Sequence, residues 1–289
     1  MRYIVSKQTL NTNIKLAQQM VGKRKLSLIF KEYCEHLVPL LDERPSGELF
    51  SIGVEDSVCY ALGLANSRNK AAMVNTLASA SFLYEHGMKC FYIPIDTGDE
   101  REGLLVKDAA SLAASIHEYL SPDIVIRGMI TNGCINDVHF KRVTEWYDMW
   151  GYLVNHFVSL SVGGSYWLDK ADQLPFCVED VRIGRFMLFG YIPFSDKRPG
   201  GNCLTVESEV LNVNPRNGKV LLDLGDAYCE PSMCVPHNKD LVLEDVSSNY
   251  AVFKSGKASQ YSVGQRVLFT PDYRHSSALA KLKVEFAYE

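Results

Sequence analysis

Apolar and polar positions follow one another in two different rhythms along this chain, and the change between them divides it. Before the polar stretch Ser195-Asp-Lys-Arg-Pro-Gly-Gly-Asn202, short β-rich apolar runs alternate with segments of helical period. Residues 10–21 read as an amphipathic helix followed by a strand over 25–30. Further strands are expected over 48–53, 89–95, 123–128, 156–162 and 178–184, with a weaker run at 71–74. Helical stretches at 73–87, 107–119 and 138–149 lie between them. Such alternation predicts a parallel sheet with helices outside it, joined by right-handed crossovers, as an open sheet or a (βα) barrel. The strands fall short of a complete eight-stranded barrel, and residues 45–71 look compressed, as though one βα unit were lost.

Beyond the Gly/Pro-rich stretch the pattern is almost wholly strands: 203–213, 219–224, 241–243, 250–254, 266–270 and 282–286. The turn Asn214-Pro-Arg-Asn-Gly218 separates the first two. Short spacing of this kind suggests a small antiparallel barrel or sandwich. The expected fold class is α/β: an N-terminal (βα) TIM-like barrel, shortened, over residues 1–198, followed by a small C-terminal all-β domain over 199–289.

Composition narrows the partners. A 289-residue chain that is 47% hydrophobic and 22% charged, with formal net charge −4, reads as a globular protein without the basic face of a nucleic-acid binder. The densest basic cluster, Lys23-Arg24-Lys25, fits a solvated loop. No apolar run approaches the roughly 20 residues of a bilayer span, so no membrane is expected. The opening Met-Arg-Tyr-Ile-Val-Ser-Lys is too poor in apolar residues to be a signal-peptide core. The eight cysteines are scattered, which fits reduced thiols in a cytoplasm, acting as small buried hydrophobes. Cys229 and Cys234 have no second pair for a zinc site.

Four segments could carry chemistry. In Val181-Arg-Ile-Gly-Arg-Phe-Met-Leu-Phe-Gly190 a buried-looking strand ends in a cation and a glycine, where it gives way to a helix. Free backbone N–H groups beside a guanidinium make a seat for a phosphate-bearing cofactor. Lys31 ends the strand 25–30, at the sheet edge where active sites of barrels and open sheets lie. A partly desolvated lysine there can attack an aldehyde, although taken alone the residue reads first as a lysine snorkelling at a strand end. Asp96-Thr-Gly-Asp-Glu-Arg-Glu-Gly103 closes another strand and sets Asp96 and Arg101 at the same edge, as a site loop or a plain surface loop. Ser161-Val-Gly-Gly-Ser165 ends a third strand as either a phosphate nest or a simple turn.

Taken in order, these segments resemble the fold-type III pyridoxal-phosphate enzymes, the alanine racemase superfamily, and within it the ornithine racemase branch. The segments 95–103 and 181–190 carry the likeness, with Met129-Ile-Thr-Asn-Gly-Cys134, residues 222–230, Val246-Ser-Ser-Asn-Tyr250 and residues 263–273 in support. The resemblance implies a cytoplasmic amino-acid racemase or epimerase using pyridoxal 5'-phosphate. Lys31 would hold the cofactor and act as one base. Arg182 would face the pyridine nitrogen and keep it unprotonated, and Gly164, Ser165, Gly184 and Arg185 would cradle the phosphate. Arg101 would face the phenolic oxygen or the substrate carboxylate. The second base would be a tyrosine from the partner in a head-to-tail homodimer, with Tyr250 the first choice and Tyr228 and Tyr273 its rivals.

The chain departs from the family where Lys31 is followed by Glu-Tyr-Cys, which displaces Tyr33, and where Gly164 stands in place of an asparagine. Two alternatives follow: a non-catalytic cofactor-binding or regulatory protein, and a lyase or aldolase acting on D-amino acids. Metal-assisted relatives carry a His-x-Cys pair where this chain has Pro271-Asp-Tyr-Arg-His-Ser276, so no metal is expected. Asp99, Glu100 and Glu102 would favour a cationic substrate side chain if they face the site, and are solvated otherwise.

Overall fold

The computed structural model describes residues 1–30, 37–43, 46–47, 49–50, 71–96, 103–130, 157–225, 232, 234–273 and 285–288. They group into two compact units, one of Asn11–Gly200 and one of Met1–Leu10 with Gly201–Glu289. The chain opens with β1 (Arg2–Val5) and α1 (Lys7–Val21). Ser6 Oγ accepts from Thr9 N at 3.3 Å, satisfying one of the N–H groups that a helix start leaves without an intrahelical acceptor. Leu10, Ile14, Ala17 and Val21 are the buried stripe of α1, at the spacing the helical period demands.

Among the described residues the α/β unit is built on seven strands: β2 (Lys25–Ile29), β3 (Leu49–Phe50), β4 (Ala72–Met73), β5 (Cys90–Ile95), β6 (Val125–Ile130), β7 (Leu160–Gly163) and β8 (Val178–Ile183). All pair in parallel, in the order β3-β2-β8-β7-β6-β5-β4. The expected parallel sheet is therefore present. Among the described residues it curls without closing, since β3 and β4 remain its two edges. The curl is visible in the core: Ile29 of β2 packs against a cluster of Ala71, Met73, Tyr92 and Met129 from the far side of the sheet. That contact makes the face bearing Ile29, Tyr92 and Met129 the concave one.

Helices α2 (Leu77–Glu85) and α3 (Val106–Tyr119) follow β4 and β5. The helix expected over 73–87 begins only at Leu77, because residues 72–73 join the sheet and Thr76 caps the helix through Ser79 N at 3.1 Å. The alanine-rich stripe Ala109, Ala110, Ala113 and Ile116 of α3 is buried. Arg24, expected in a solvated loop, is tied down instead: its Nε and Nη2 donate to the carbonyls of Val178 and Leu174 at 3.1 and 2.8 Å. The helix expected over 138–149 and most of the strand expected over 48–53 lie outside the described residues.

The β unit holds β9 (Leu204–Asn214), β10 (Lys219–Leu222), β11 (Cys234–Pro236), β12 (Val242–Val246), β13 (Ala251–Lys254), β14 (Arg266–Pro271) and β15 (Glu285–Tyr288). Their path is β11-β14-β9-β10-β13-β12, antiparallel throughout. The expected division let residue 1 open the first domain. Instead β1 pairs antiparallel with β9 and parallel with β15, so the first ten residues group with the β unit. Val206, Val220, Leu222, Phe253 and Phe269 fill its interior, with the two phenyl rings 5.6 Å apart. Cys177, Cys203 and Cys234 are buried, and burial pushes the Cys203 thiol up to about 12.

Candidate functional site

Parallel pairing puts residues in register on the same face of a sheet, and alternation along each strand separates the two faces. The convex face carries Leu26, Leu28, Phe91, Ile93, Ile95, Ile126, Leu160, Val162, Val181 and Ile183, all almost fully buried and wholly apolar. The concave face is different. It carries Ser27 on β2, Tyr92 on β5, Arg127 on β6, Ser161 and Gly163 on β7, and Asp180 and Arg182 on β8.

Arg182 sits in register with Ser27 on one side and Gly163 on the other, and only 2% of it is exposed. Its Nη2 donates to the carbonyl of Ile130 at 2.7 Å, so the side chain reaches from β8 past β7 to the end of β6. Gly163, in between, presents no side chain to block that path. Nε and Nη1 are buried and have no hydrogen-bond partner among the described residues. A buried donor left unsatisfied costs about 1–3 kcal/mol, so two on one guanidinium call for an acceptor. Burial lowers Arg182 to about 10, opposed by the nearby Asp180 and Tyr92, which leaves it a cation at neutral pH.

Asp180 lies two residues back on the same face. Its Oδ1 accepts from Ser27 Oγ at 2.6 Å and its Oδ2 from Ser161 Oγ, all three residues being buried. Burial raises its carboxyl above the ordinary range, against the pull of the Ser161 and Ser27 hydroxyls, Arg182 and Arg127. Across the face, Arg127 Nη1 donates to Tyr92 Oη at 3.1 Å and its guanidinium carbon lies 5.6 Å from the Tyr92 ring centroid. Burial pushes the Tyr92 phenol up, so it stays neutral.

At the C-terminal ends of β7 and β8 the chain turns sharply. Gly164, with φ 115°, donates its N–H to the Arg182 carbonyl at 2.9 Å. Ser165 follows, 3% exposed, and its Oγ accepts from Phe186 N at 2.9 Å, capping the short helix α4 (Arg185–Phe189) that Gly184 introduces. Gly164, Ser165, Arg182, Gly184 and Arg185 thus meet at one edge of the sheet. The Arg185 guanidinium lies 5.9 Å from the Tyr191 ring centroid.

Lys31 and Arg101 lie outside the described residues. Their flanks are placed: Phe30 follows β2, buried, and Asp96 and Gly103, on either side of residues 97–102, are held close together. Asp96 N donates to the Leu104 carbonyl and Leu104 N to the Pro94 carbonyl, both at 2.9 Å. Gly103, at φ 136°, is required there, because a Cβ would lie 2.6 Å from Asp96 N. Tyr250 belongs to the β unit, in the turn before β13, where Ser247 N donates to its carbonyl at 2.8 Å and 38% of it is exposed. Tyr273 follows β14, and Tyr228 is outside the described residues. Among the described residues no three His, Cys, Asp or Glu side chains converge on a metal position, and no helix is long and apolar enough to cross a membrane.

Sequence reasoning missed Ser27 and Asp180 and read Ser161 as part of a phosphate nest or a simple turn. Their signal was a polar residue at every second position of runs otherwise apolar on both sides.

No protein-family profile and no curated protein matches the chain. Solved structures do. Alanine racemase from Corynebacterium glutamicum is similar at TM-score 0.75 and 14% identity, over 100% of this chain and 99% of that one. D-threonine aldolase from Filomicrobium marinum is similar at TM-score 0.68 and 12% identity, over 96% and 88%. D-threo-3-hydroxyaspartate dehydratase from Delftia sp. HT23 is similar at TM-score 0.61 and 14% identity, over 96% and 91%. The chain therefore has the alanine racemase-like fold, along essentially its whole length.

Proposed function

We propose that this protein is a pyridoxal-phosphate enzyme of the alanine racemase-like fold that racemises or epimerises an amino acid as a homodimer. The observation that carries the reading is Arg182, buried at the sheet edge with two donors lacking an acceptor among the described residues. A pyridine nitrogen is an acceptor of the right kind, and the Gly164–Ser165 turn beside α4 suits a phosphate. When bound, pyridoxal phosphate supplies the conjugated electron sink that acidifies the proton on a substrate's α-carbon.

The chain's own groups would do the rest. Lys31, next after Phe30, holds the cofactor's aldehyde carbon and moves the α-proton on one face. Tyr250, offered by the partner copy, moves it on the other. Arg182, a cation at neutral pH, would face the ring nitrogen and disfavour its protonation. Gly164, Ser165, Gly184 and Arg185 hold the phosphate, and Arg101 faces the phenolic oxygen or the substrate carboxylate. The likeness of segments 95–103 and 181–190 to the ornithine racemase branch makes basic amino acids the first substrates to try.

The test is exchange of solvent deuterium into the α-position across a panel of amino acids, followed by NMR and chiral analysis. Exchange with loss of optical purity, abolished by Lys31→Ala, is expected. A purified Lys31→Ala protein that still racemised would overturn the reading. The similarity to an aldolase and a dehydratase supports a lyase as second reading, which would yield aldehyde or keto-acid products. Cofactor uptake without any exchange would point to a non-catalytic binder.

A further inference from the structure

The buried concave face holds a charge arrangement that the proposed function uses but does not explain. Arg182 needs a counter-charge to remain a buried cation, yet it also needs free donors to meet a ligand. An aspartate paired directly with the guanidinium would supply the first and remove the second. Here the only hydrogen bonds described for the Asp180 carboxylate are those it accepts from Ser27 on β2 and Ser161 on β7. No ion pair joins it to Arg182 among the described residues, although the two occupy successive concave-face positions of β8. Gly47 completes the clamp: a Cβ there would lie 2.4 Å from Ser27 Oγ, so the glycine leaves room for that hydroxyl.

We propose that Asp180 is the positioning residue for Arg182, and that Ser27 and Ser161 hold its carboxylate back so that Nε and Nη1 stay available to a ligand. Among the described residues, the charged and titratable groups that act on this pair are Arg127 from β6 and Tyr92 from β5, with the two serines from β2 and β7. Arg127 is engaged with Tyr92, and Tyr92 is neutral. Among the described residues Asp180 is thus the carboxyl group placed to balance Arg182 across a dry interior, where charges act at longer range than in water. The role assigned to Asp180 rests on the proposed cofactor site for its purpose, but the clamp itself does not.

The test separates the two. Full-length protein labelled with 15N-arginine reports the Nε–H of Arg182, assigned by its disappearance in Arg182→Lys. Asp180→Asn, nearly isosteric, removes the counter-charge, and proton exchange at Nε–H should quicken by about tenfold or more. Ser161→Ala releases the carboxylate to swing onto the guanidinium, so exchange should slow and the signal should shift. Opposite directions are the signature, since simple loosening of the fold would quicken both. Val181→Ala, on the convex face of the same strand, serves as the stability control and should leave the signal in place. Added pyridoxal phosphate should bind several-fold more weakly to Ser161→Ala than to the parent. Should Asp180→Asn fail to fold, Ser27→Ala provides a second release variant with the same expected slowing.

Unchanged Arg182 exchange in Asp180→Asn, or quickened exchange in both serine variants, would overturn the clamp whatever the cofactor does. Parent protein that takes up no pyridoxal phosphate would overturn the proposed function, while the exchange data would still decide the clamp.

Discussion

The two faces of the parallel sheet are made from the same strands and teach different things. The convex face is continuous Leu, Ile, Val and Phe, each almost fully buried. Each such side chain contributes about 1.5–3 kcal/mol by leaving water, and nothing in that face can carry chemistry. The concave face is buried as deeply yet carries Ser27, Ser161, Asp180 and Arg182. A charged group there is a cost to folding unless it is paired and hydrogen-bonded, and two donors of Arg182 are neither among the described residues. Apolar burial is therefore concentrated on one face and the proposed function on the other. Residues at neighbouring positions of one strand, Val181 and Arg182, have unrelated reasons to be there.

Substitutions can break that contrast. Arg182→Leu should have the largest effect: it strands the Asp180 carboxylate without its counter-charge, at about 3–5 kcal/mol, and abolishes cofactor retention. Chemical denaturation and dialysis against pyridoxal phosphate would check both halves. Ile93→Ala, on the convex face of β5, should destabilise by about 2–5 kcal/mol through its cavity while leaving the bound cofactor's absorption spectrum unchanged. If Ile93→Ala altered the spectrum as much as Arg182→Leu, the division between faces would be lost.

Gly103→Ala should cost about 1–3 kcal/mol, because φ 136° is poor for alanine and the new Cβ meets Asp96 N. If Arg101 faces the substrate as proposed, a rise in KM should accompany that loss.

The smallest effect is a pH dependence. Asp180 has a raised native carboxyl, so the folded protein holds that proton more tightly than the unfolded chain. Stability should then fall as pH rises from the ordinary carboxylate range, about 4, up to the native value of Asp180, and be flat above it. Asp180→Asn should flatten that slope in thermal unfolding at a series of pH values.

The functional edge was more legible in the sequence than the layer beneath it. Arg182, Gly184 and Ser165 stand out because a cation, a glycine and a hydroxyl close apolar runs, and each does sit at a strand end beside α4. Ser27 and Asp180 are inside their strands, and only the register of β2, β7 and β8 reveals that they meet. Register joins three separate segments, β2 lying more than 100 residues before β7 and β8, which no local pattern encodes. For the same reason β1 was not anticipated: its four residues find partners only in β9 and β15. The boundary between β4 and α2 was blurred because apolar residues run through both, and the Thr76 cap marks the break.

The central claim is that this sheet edge holds pyridoxal phosphate on Lys31 with Arg182 behind it. Borohydride reduction of the protein incubated with pyridoxal phosphate, followed by peptide mass spectrometry, tests it most directly. The account predicts a pyridoxyl mass increment on the peptide containing Lys31, lost in Lys31→Ala and sharply reduced in Arg182→Leu. An increment spread over surface lysines, or none at all, would contradict it.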